Sequence, residues 1–114
     1  MLFRSRNDGG QTGLHWAAYG AHVDVVKALV ERYAPVDVKD KHFNATPLDV
    51  ALYVWSNSTD QEERERCYDV IVLLARAGAT LDPKHWQNEH GAGILEKIQS
   101  DPRMLAALGG GITQ

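Results

Sequence analysis

Five histidines are the residues of this chain most able to do chemistry, because an imidazole ring can bind a metal ion or carry a proton near neutral pH. His15 and His22 have the i,i+7 spacing, whereas the two histidines of a helical zinc site have the i,i+4 spacing. No HExxH motif and no Cys/His ligand pattern accompanies them. His42, His85 and His90 fall in expected loops or helix ends. We therefore expect no metal site and no cofactor.

The residues that could act as nucleophiles are also isolated. Ser56, Ser58 and Thr59 lack a base and an oxyanion donor together. Residues 90–93 contain a G-x-G, but without a preceding strand or a third glycine they do not predict a phosphate-binding loop. We therefore expect no enzyme. Cys67 is the only cysteine, which excludes an internal disulfide and favours a reducing, cytoplasmic setting.

Length and charge narrow the classes of function further. A chain of 114 residues is one domain, large enough for a core but small for an enzyme with a substrate pocket. The formal net charge is −3 and the basic residues form no long run, so we expect no nucleic-acid partner. No apolar run approaches the roughly 20 residues needed to cross a bilayer, so we expect no membrane partner either.

The elements that position these side chains form a unit that occurs twice. Residues 10–34 read as two short helices joined by a turn. The segment TGLHWAA, which begins at Thr12, returns as TPLDVAL at Thr46. The segment VVKALVERYAPVD, which begins at Val25, returns as VIVLLARAGATLD at Val70. A self-similar unit of two helices and a turn is typical of stacked repeats, which usually serve as recognition surfaces.

The second unit is longer than the first. The interval from Thr46 to Ala79 exceeds the matching interval from Thr12 to Ala34, so the second unit contains an insertion. We place this insertion at residues 55–65, between the two helices of the second unit. Its charged part is interpreted as a solvated helix face, with an extra docking ridge as the alternative.

The second helix of that unit has its own start signals. Thr59 and Glu62 have the spacing of a capping box, in which each side chain bonds to a backbone amide near the helix start. We therefore predict a helix from about Asp60 to Arg76.

The order of small, apolar and polar residues in the first unit follows a known pattern. The residues that fall on it without a gap are Gly10, Thr12, Leu14, His15, Ala17, Ala18, His22, Val25, Val26, Leu29, Ala34 and Val36. This unit resembles the ankyrin repeat, whose pattern is roughly G-x-T-P-L-H-x-A-A-x-x-G-H-x-x-V-V-x-x-L-L-x-x-G-A-x-V-N. The chain departs from it at Gly13, Trp16, Ala21 and Tyr33. Tyr33 is the most costly departure, because that position normally takes a glycine with positive φ.

The resemblance implies an all-α fold, an ankyrin-type stack of helix-turn-helix repeats with hairpin-like loops. The expected divisions are an N-terminal arm (1–9), repeat 1 (10–39), repeat 2 (40–82), a degenerate repeat or helical cap (83–108) and a loose tail (109–114). It also implies structural roles for His15 and His22, which would hydrogen-bond neighbouring turns.

The resemblance further implies a protein-binding module that uses its finger loops and the concave face of each first helix. The corresponding residues here are Gln11, Tyr19, Gly20, Lys39, Lys41, His42, Phe43, Tyr53 and Val54. Of these, Tyr19, Phe43 and Tyr53 would form an aromatic row of the composition that binding hot spots favour. The sequence does not identify the partner protein.

Two other functions stay open. Two repeats and a cap are fewer than the roughly three units usually needed, so an apolar stacking face of the first repeat should be partly exposed. Its residues would be Leu14, Trp16, Val23 and Val26. That face could form a homodimer, be covered by residues 1–9, or stack on earlier repeats of a longer array. The other function is small-molecule binding in a groove beside the insertion, with Trp55 and Trp86.

Overall fold

The computed structural model describes residues 13–41, 44–81, 83–86 and 91–109. This part of the chain contains six α-helices, one 3₁₀ helix and no strand. The helices are α1 (Gly13–Tyr19), α2 (Val23–Glu31), α3 (Pro47–Asn57), α4 (Gln61–Arg76), α5 (Ala92–Gln99) and α6 (Pro102–Leu108), and the 3₁₀ helix spans Pro83–Trp86. The all-α fold class expected from the sequence is confirmed.

The six helices pack as three pairs arranged in two rows. Within the pairs, α1 packs on α2, α3 on α4 and α5 on α6. One row, here called the first-helix row, contains α1, α3 and α5, with α3 in contact with both of the others. The second-helix row contains α2, α4 and α6 in the same way. The described chain is therefore a short stack of helix pairs, as the repeated unit predicts.

A single hydrophobic core runs through the three pairs. Its largest fully buried apolar side chains are Trp55, Leu14, Leu29, Leu48, Leu52, Ile71, Leu74, Leu81, Ile98, Met104 and Leu108. Between α1 and α3 the buried residues include the small Ala17, Ala18 and Ala51, which let the two helices approach closely. Removing this apolar surface from water contributes about 25 cal/mol per Å², the main stabilising term of the stack.

The inserted residues lengthen both helices of the second pair. α3 has 11 residues where α1 has 7, and α4 has 16 where α2 has 9. The expectation that residues 55–65 lie between the helices is wrong, because Trp55 lies inside α3 and only residues 58–60 connect α3 to α4. The indole of Trp55 is buried and meets the Tyr68 ring edge to face, with centroids 6.0 Å apart. This contact favours continuation of α3 through the inserted residues.

The start of α4 differs in detail from the prediction. The helix runs over Gln61–Arg76, as predicted, but its N-cap is Asp60, whose Oδ1 accepts from the Glu62 amide at 3.1 Å. The predicted capping box of Thr59 and Glu62 is therefore wrong by one residue. A carboxylate at this position also interacts favourably with the positive end of the helix dipole.

A capping box does occur at the start of α3. The Thr46 hydroxyl accepts from the Asp49 amide at 3.2 Å, and the Asp49 carboxylate accepts from the Thr46 amide at 3.0 Å. Pro47 occupies the first helical position, where its missing amide hydrogen costs no hydrogen bond. Asp49 occupies the position that His15 has in the first repeat. In the second repeat, the side chain at this position caps the helix to which it belongs.

Three chain reversals place a residue with positive φ at the turn. After α2 this residue is Tyr33, with φ of 62°, and its amide donates to the Val30 carbonyl at 3.0 Å. The equivalent residue after α4 is Gly78, with φ of 102°. In the turn between α1 and α2 it is Ala21, with φ of 52°. The turn geometry of the repeat is thus kept where glycine is absent, at a cost in backbone strain of about 1–2 kcal/mol per residue.

The third helix pair is tied to α4 by a polar network. Asp101 caps α6 by accepting from the amides of Arg103 (2.9 Å) and Met104 (3.2 Å), and its other oxygen accepts from the Tyr68 hydroxyl. The Arg103 guanidinium lies 4.0 Å from the centroid of the Tyr68 ring and forms an ion pair with Glu65. These contacts fix the cap of the stack on the second repeat.

The titration behaviour of this network follows from its contacts. Burial raises the pKa of Asp101, but the Tyr68 hydroxyl and the two α6 amides together outweigh burial and hold that pKa below its ordinary value. Burial and the hydrogen bond to Asp101 raise the pKa of Tyr68. The hydrogen bond from Arg103 lowers the pKa of Glu65.

Candidate partner-binding surface

The finger, residues 36–45, is held against the first repeat by a buried hydrogen-bond cluster. The Ala45 carbonyl accepts from the Asp40 amide at 2.9 Å and from His15 Nε2 at 2.8 Å. Asp40 Oδ1 in turn accepts from the Ala45 amide at 3.0 Å. Because a carbonyl can only accept, Nε2 of His15 carries the hydrogen. His15 therefore links α1 to the finger, in agreement with its expected structural role.

His22 differs from His15. It is the N-cap residue of α2 but makes no side-chain cap hydrogen bond, and it is exposed. Its imidazole covers Gly20, so closely that a Cβ atom at position 20 would overlap the ring. Gly20 is exposed, and a larger residue there would require the His22 ring to move. The expected hydrogen-bonding role of His22 is not seen in its cap.

The cluster around Asp40 leaves two lysines on the outside of the finger. Lys39 and Lys41 are exposed on either side of Asp40, whose own side chain is buried. Neither ammonium group has an ion pair with any residue that the structure describes. The finger thus presents positive groups that can meet a ligand from outside the chain.

Two tyrosines lie at equivalent positions of neighbouring first helices. Tyr19 in α1 is 62% exposed, and Tyr53, its counterpart in α3, is 53% exposed. Since α1 packs on α3, both rings belong to the same row of the stack. Val54, next to Tyr53, is only half-buried. No exposed carboxylate competes on these helices, because α1 has no charged residue and the only one of α3, Asp49, is buried in its cap.

Three of the expected binding residues, Gln11, His42 and Phe43, lie outside the described residues. Four of the expected binding residues that the structure describes are exposed, namely Tyr19, Tyr53, Lys39 and Lys41, and we refer to these four together as the tyrosine–lysine surface. The signal for the two tyrosines in the sequence is that each directly follows the repeated segment, Tyr19 after TGLHWAA and Tyr53 after TPLDVAL.

The expected self-association residues divide into two groups. Leu14 and Val26 have 0% exposed surface, so the expectation that they reach solvent is wrong. Both belong to the hydrophobic core. Trp16 is 57% exposed and Val23 is half-buried. The sequence reasoning missed Val25, which is 45% exposed, although the repeat alignment pairs it with Val70.

The groups suited to chemistry are not brought together. Among the described residues, no three His, Cys, Asp or Glu side chains are placed to hold a metal ion. Burial and the nearby Glu63 raise the pKa of the Cys67 thiol to about 11, which leaves it a poor nucleophile at neutral pH. Trp55 and Trp86, expected beside a groove for small molecules, are both buried in the core. A shallow groove of about 450 Å³ instead lies between α4 and α6.

No helix of the described part of the chain is both long and apolar enough to span a membrane.

Comparison with known proteins identifies the first helix pair and its finger. Residues 9–41 match the family model of the Ankyrin repeat. No curated protein and no solved structure matches the chain. The matched segment contains α1, α2 and the exposed Lys39 and Lys41, and the second pair ends in a turn of the same kind. The segment of residues 9–41 is therefore an ankyrin repeat.

Proposed function

We propose that this protein binds a partner protein through the tyrosine–lysine surface and has no catalytic role of its own. Ankyrin-repeat domains are generally protein–protein interaction modules. The observation that carries the proposal for this chain is the pair Tyr19 and Tyr53, two large aromatic side chains left more than half exposed on the first-helix row.

The energetics of recognition favour such a surface. Tyrosine supplies a large, rigid contact area at a low cost in conformational entropy, and it is enriched among the residues that dominate binding energy. A ring that is already exposed and held on a packed helix needs no rearrangement before it contacts a partner.

The charges of the finger define the complementary groups of the partner. Lys39 and Lys41 have no ion pair within the described residues, so carboxylates of a partner can pair with them. We propose a partner segment that carries acidic side chains next to apolar ones. The acidic groups would meet the finger and the apolar groups would stack on Tyr19 and Tyr53.

The setting that we propose is cytoplasmic. The only cysteine of the chain is buried, and its raised pKa keeps it protonated, which suits a protein that carries no internal disulfide.

The test is a two-step measurement with a matched control. Proteins from the source cell are captured on the immobilised chain, and the double variant Tyr19→Ala/Tyr53→Ala is used in parallel. A protein that the wild type retains and the variant loses is purified and titrated against both. We expect Kd to rise at least tenfold, since replacing a hot-spot residue by alanine costs about 2 kcal/mol or more.

The control variant is Glu31→Ala/Glu62→Ala, whose residues are exposed on the second-helix row. It should bind the partner as the wild type does. A charge-reversed variant, Lys39→Glu/Lys41→Glu, should weaken binding more at low salt than at high salt. A partner that binds the tyrosine variant and the wild type equally would refute the proposed surface.

A further inference from the structure

Tyr33 combines a strained backbone with an almost fully exposed side chain. Its φ of 62° lies in the left-handed region. Its side chain is 86% exposed, more than that of any other large hydrophobic residue that the structure describes. We propose that Tyr33 is a contact residue for the partner protein, outside the tyrosine–lysine surface. This role rests on the proposed function, the binding of a partner protein.

The backbone at the turn after α2 does not favour a tyrosine. Positive φ is rare for a bulky L-residue, because its Cβ atom crowds the backbone. The second repeat makes the equivalent turn with Gly78, for which positive φ carries no such cost. The stability of the fold therefore gives no reason for a tyrosine at position 33. Strain of this kind is concentrated at sites of binding and catalysis, where the side chain has another use.

The other two non-glycine residues with positive φ in the described part of the chain each have a local reason. Ala21 has φ of 52°, and its methyl group is buried in the core. Asn44 also has φ of 52°, and asparagine enters this region more readily than most residues. Tyr33 has neither compensation, and no hydrogen bond or ring contact joins its side chain to another described residue.

The chemistry of the tyrosine side chain specifies what the partner must offer. The ring supplies a large, rigid apolar contact, and the hydroxyl can donate a hydrogen bond. The complementary groups are an apolar side chain against the ring and a carboxylate at the hydroxyl. The partner segment proposed above carries both. Tyr33 also belongs to the same connection between α2 and α3 as the exposed Lys39 and Lys41.

Variants at position 33 separate a binding role from a structural role. Tyr33→Gly removes both the strain and the ring, so it should raise the urea midpoint of unfolding and also raise the Kd for the partner at least about tenfold. Tyr33→Ala keeps positive φ and loses the ring, so it should weaken binding to the same extent without the gain in stability. Tyr33→Phe keeps the ring and should bind more tightly than either. If Tyr33 had only a structural role, a variant with higher stability would bind at least as well as the wild type.

The partner is obtained by capture from the source cell, with wild type, Tyr33→Gly, Tyr19→Ala/Tyr53→Ala and the control Glu31→Ala/Glu62→Ala immobilised in parallel. Each protein that the wild type retains is purified and titrated against all variants. A protein that Tyr33→Gly loses and the control keeps supports the contact at Tyr33, whatever the result for Tyr19→Ala/Tyr53→Ala. That second variant tests the tyrosine–lysine surface separately.

Three results would overturn the proposal. One is that Tyr33→Gly and Tyr33→Ala keep every retained protein with unchanged Kd, or that the wild type retains none. Another is that only Tyr33→Gly loses binding, which would assign the loss to a more flexible turn. The third is that Tyr33→Phe binds no better than Tyr33→Ala, which would mean that the ring makes no contact.

Discussion

Replacing Tyr33 by glycine should make this protein more stable. Tyr33 is the residue that reverses the chain after α2, and its φ of 62° lies in the left-handed region. An L-residue there costs about 1–2 kcal/mol relative to its ordinary conformations. Glycine removes that cost but gives the unfolded chain more freedom, which takes back about 0.4–1 kcal/mol. The expected net gain in the free energy of unfolding is about 0.5–1 kcal/mol.

Loss of the Tyr33 side chain should not cancel this gain in stability. Tyr33 is 86% exposed, so the substitution gives up little buried surface. Ala21 provides the contrast, because its φ of 52° is similar but its methyl group is buried. Ala21→Gly regains the backbone strain and loses about 0.8 kcal/mol of buried methyl, so its net effect should be close to zero.

The reverse substitution tests the same reasoning in the second repeat. Gly78 has φ of 102°, and a Cβ atom placed there would meet nothing within 4 Å. Gly78→Ala therefore adds the backbone cost of about 1–2 kcal/mol and recovers about 0.4–1 kcal/mol from the less flexible unfolded chain, so it should destabilise the protein by about 0.5–1 kcal/mol. Tyr33→Asn should fall between wild type and Tyr33→Gly, since asparagine tolerates this region better than tyrosine.

The assay is urea unfolding followed by circular dichroism at 25 °C, with thermal melts as a second measure. For a chain of this size, a gain of about 0.5–1 kcal/mol corresponds to a rise in Tm of roughly 2–5 °C. The slope of the urea transition should not change, because the substitution exposes no new surface. The reasoning fails if Tyr33→Gly is no more stable than the wild type and Gly78→Ala has the same free energy of unfolding as the wild type. Positive φ would then carry no strain at these turns.

Two further predictions concern the titratable groups. The pKa of Asp101 is lowered in the folded state, so its carboxylate contributes stability above the unfolded pKa of about 4, and this is lost as pH falls through the lower folded pKa. The variant Asp101→Asn keeps a capping side chain, and it should lower the free energy of unfolding by about 1–2 kcal/mol at pH 7 but by much less at pH 2. Urea titrations at both pH values check this. An equal loss of stability at the two pH values would contradict the prediction. Burial and Glu63 raise the pKa of Cys67 to about 11, so its labelling by a disulfide reagent at pH 8 should be slow in the native protein and become fast in denaturing urea. Rapid native labelling would show that the thiol is not buried in solution.

The repeat architecture could be predicted because it depends on patterns within short segments of the sequence. The returns of TGLHWAA and VVKALVERYAPVD require only short segments to be compared, and they lead to the helix pairs that the structure shows. The strain at Tyr33 could also be predicted, since a turn of this kind needs positive φ whichever residue occupies it.

Local patterns mislead where several elements compete for the same residues. They place Trp55 in an inserted loop. In the structure the Trp55 ring packs against Tyr68 in the core, and α3 continues through Trp55. The N-cap of α4 is Asp60 and not Thr59, a difference of one residue that local spacing does not distinguish. The links of Tyr68 and Glu65 to α6 join distant parts of the chain, and no pattern along the sequence indicates them.

The sequence by itself determined the fold class, the ankyrin repeat of the first helix pair and the positions of the two tyrosines, because periodicity and turn chemistry act over a few residues. Only the tertiary structure decided which apolar residues are left uncovered. Leu14 and Val26 lie in the core, whereas Trp16 and Val25 lie on its outer surface. All four are apolar and lie on helices, and their exposure depends on the direction in which each side chain meets the neighbouring helix pair.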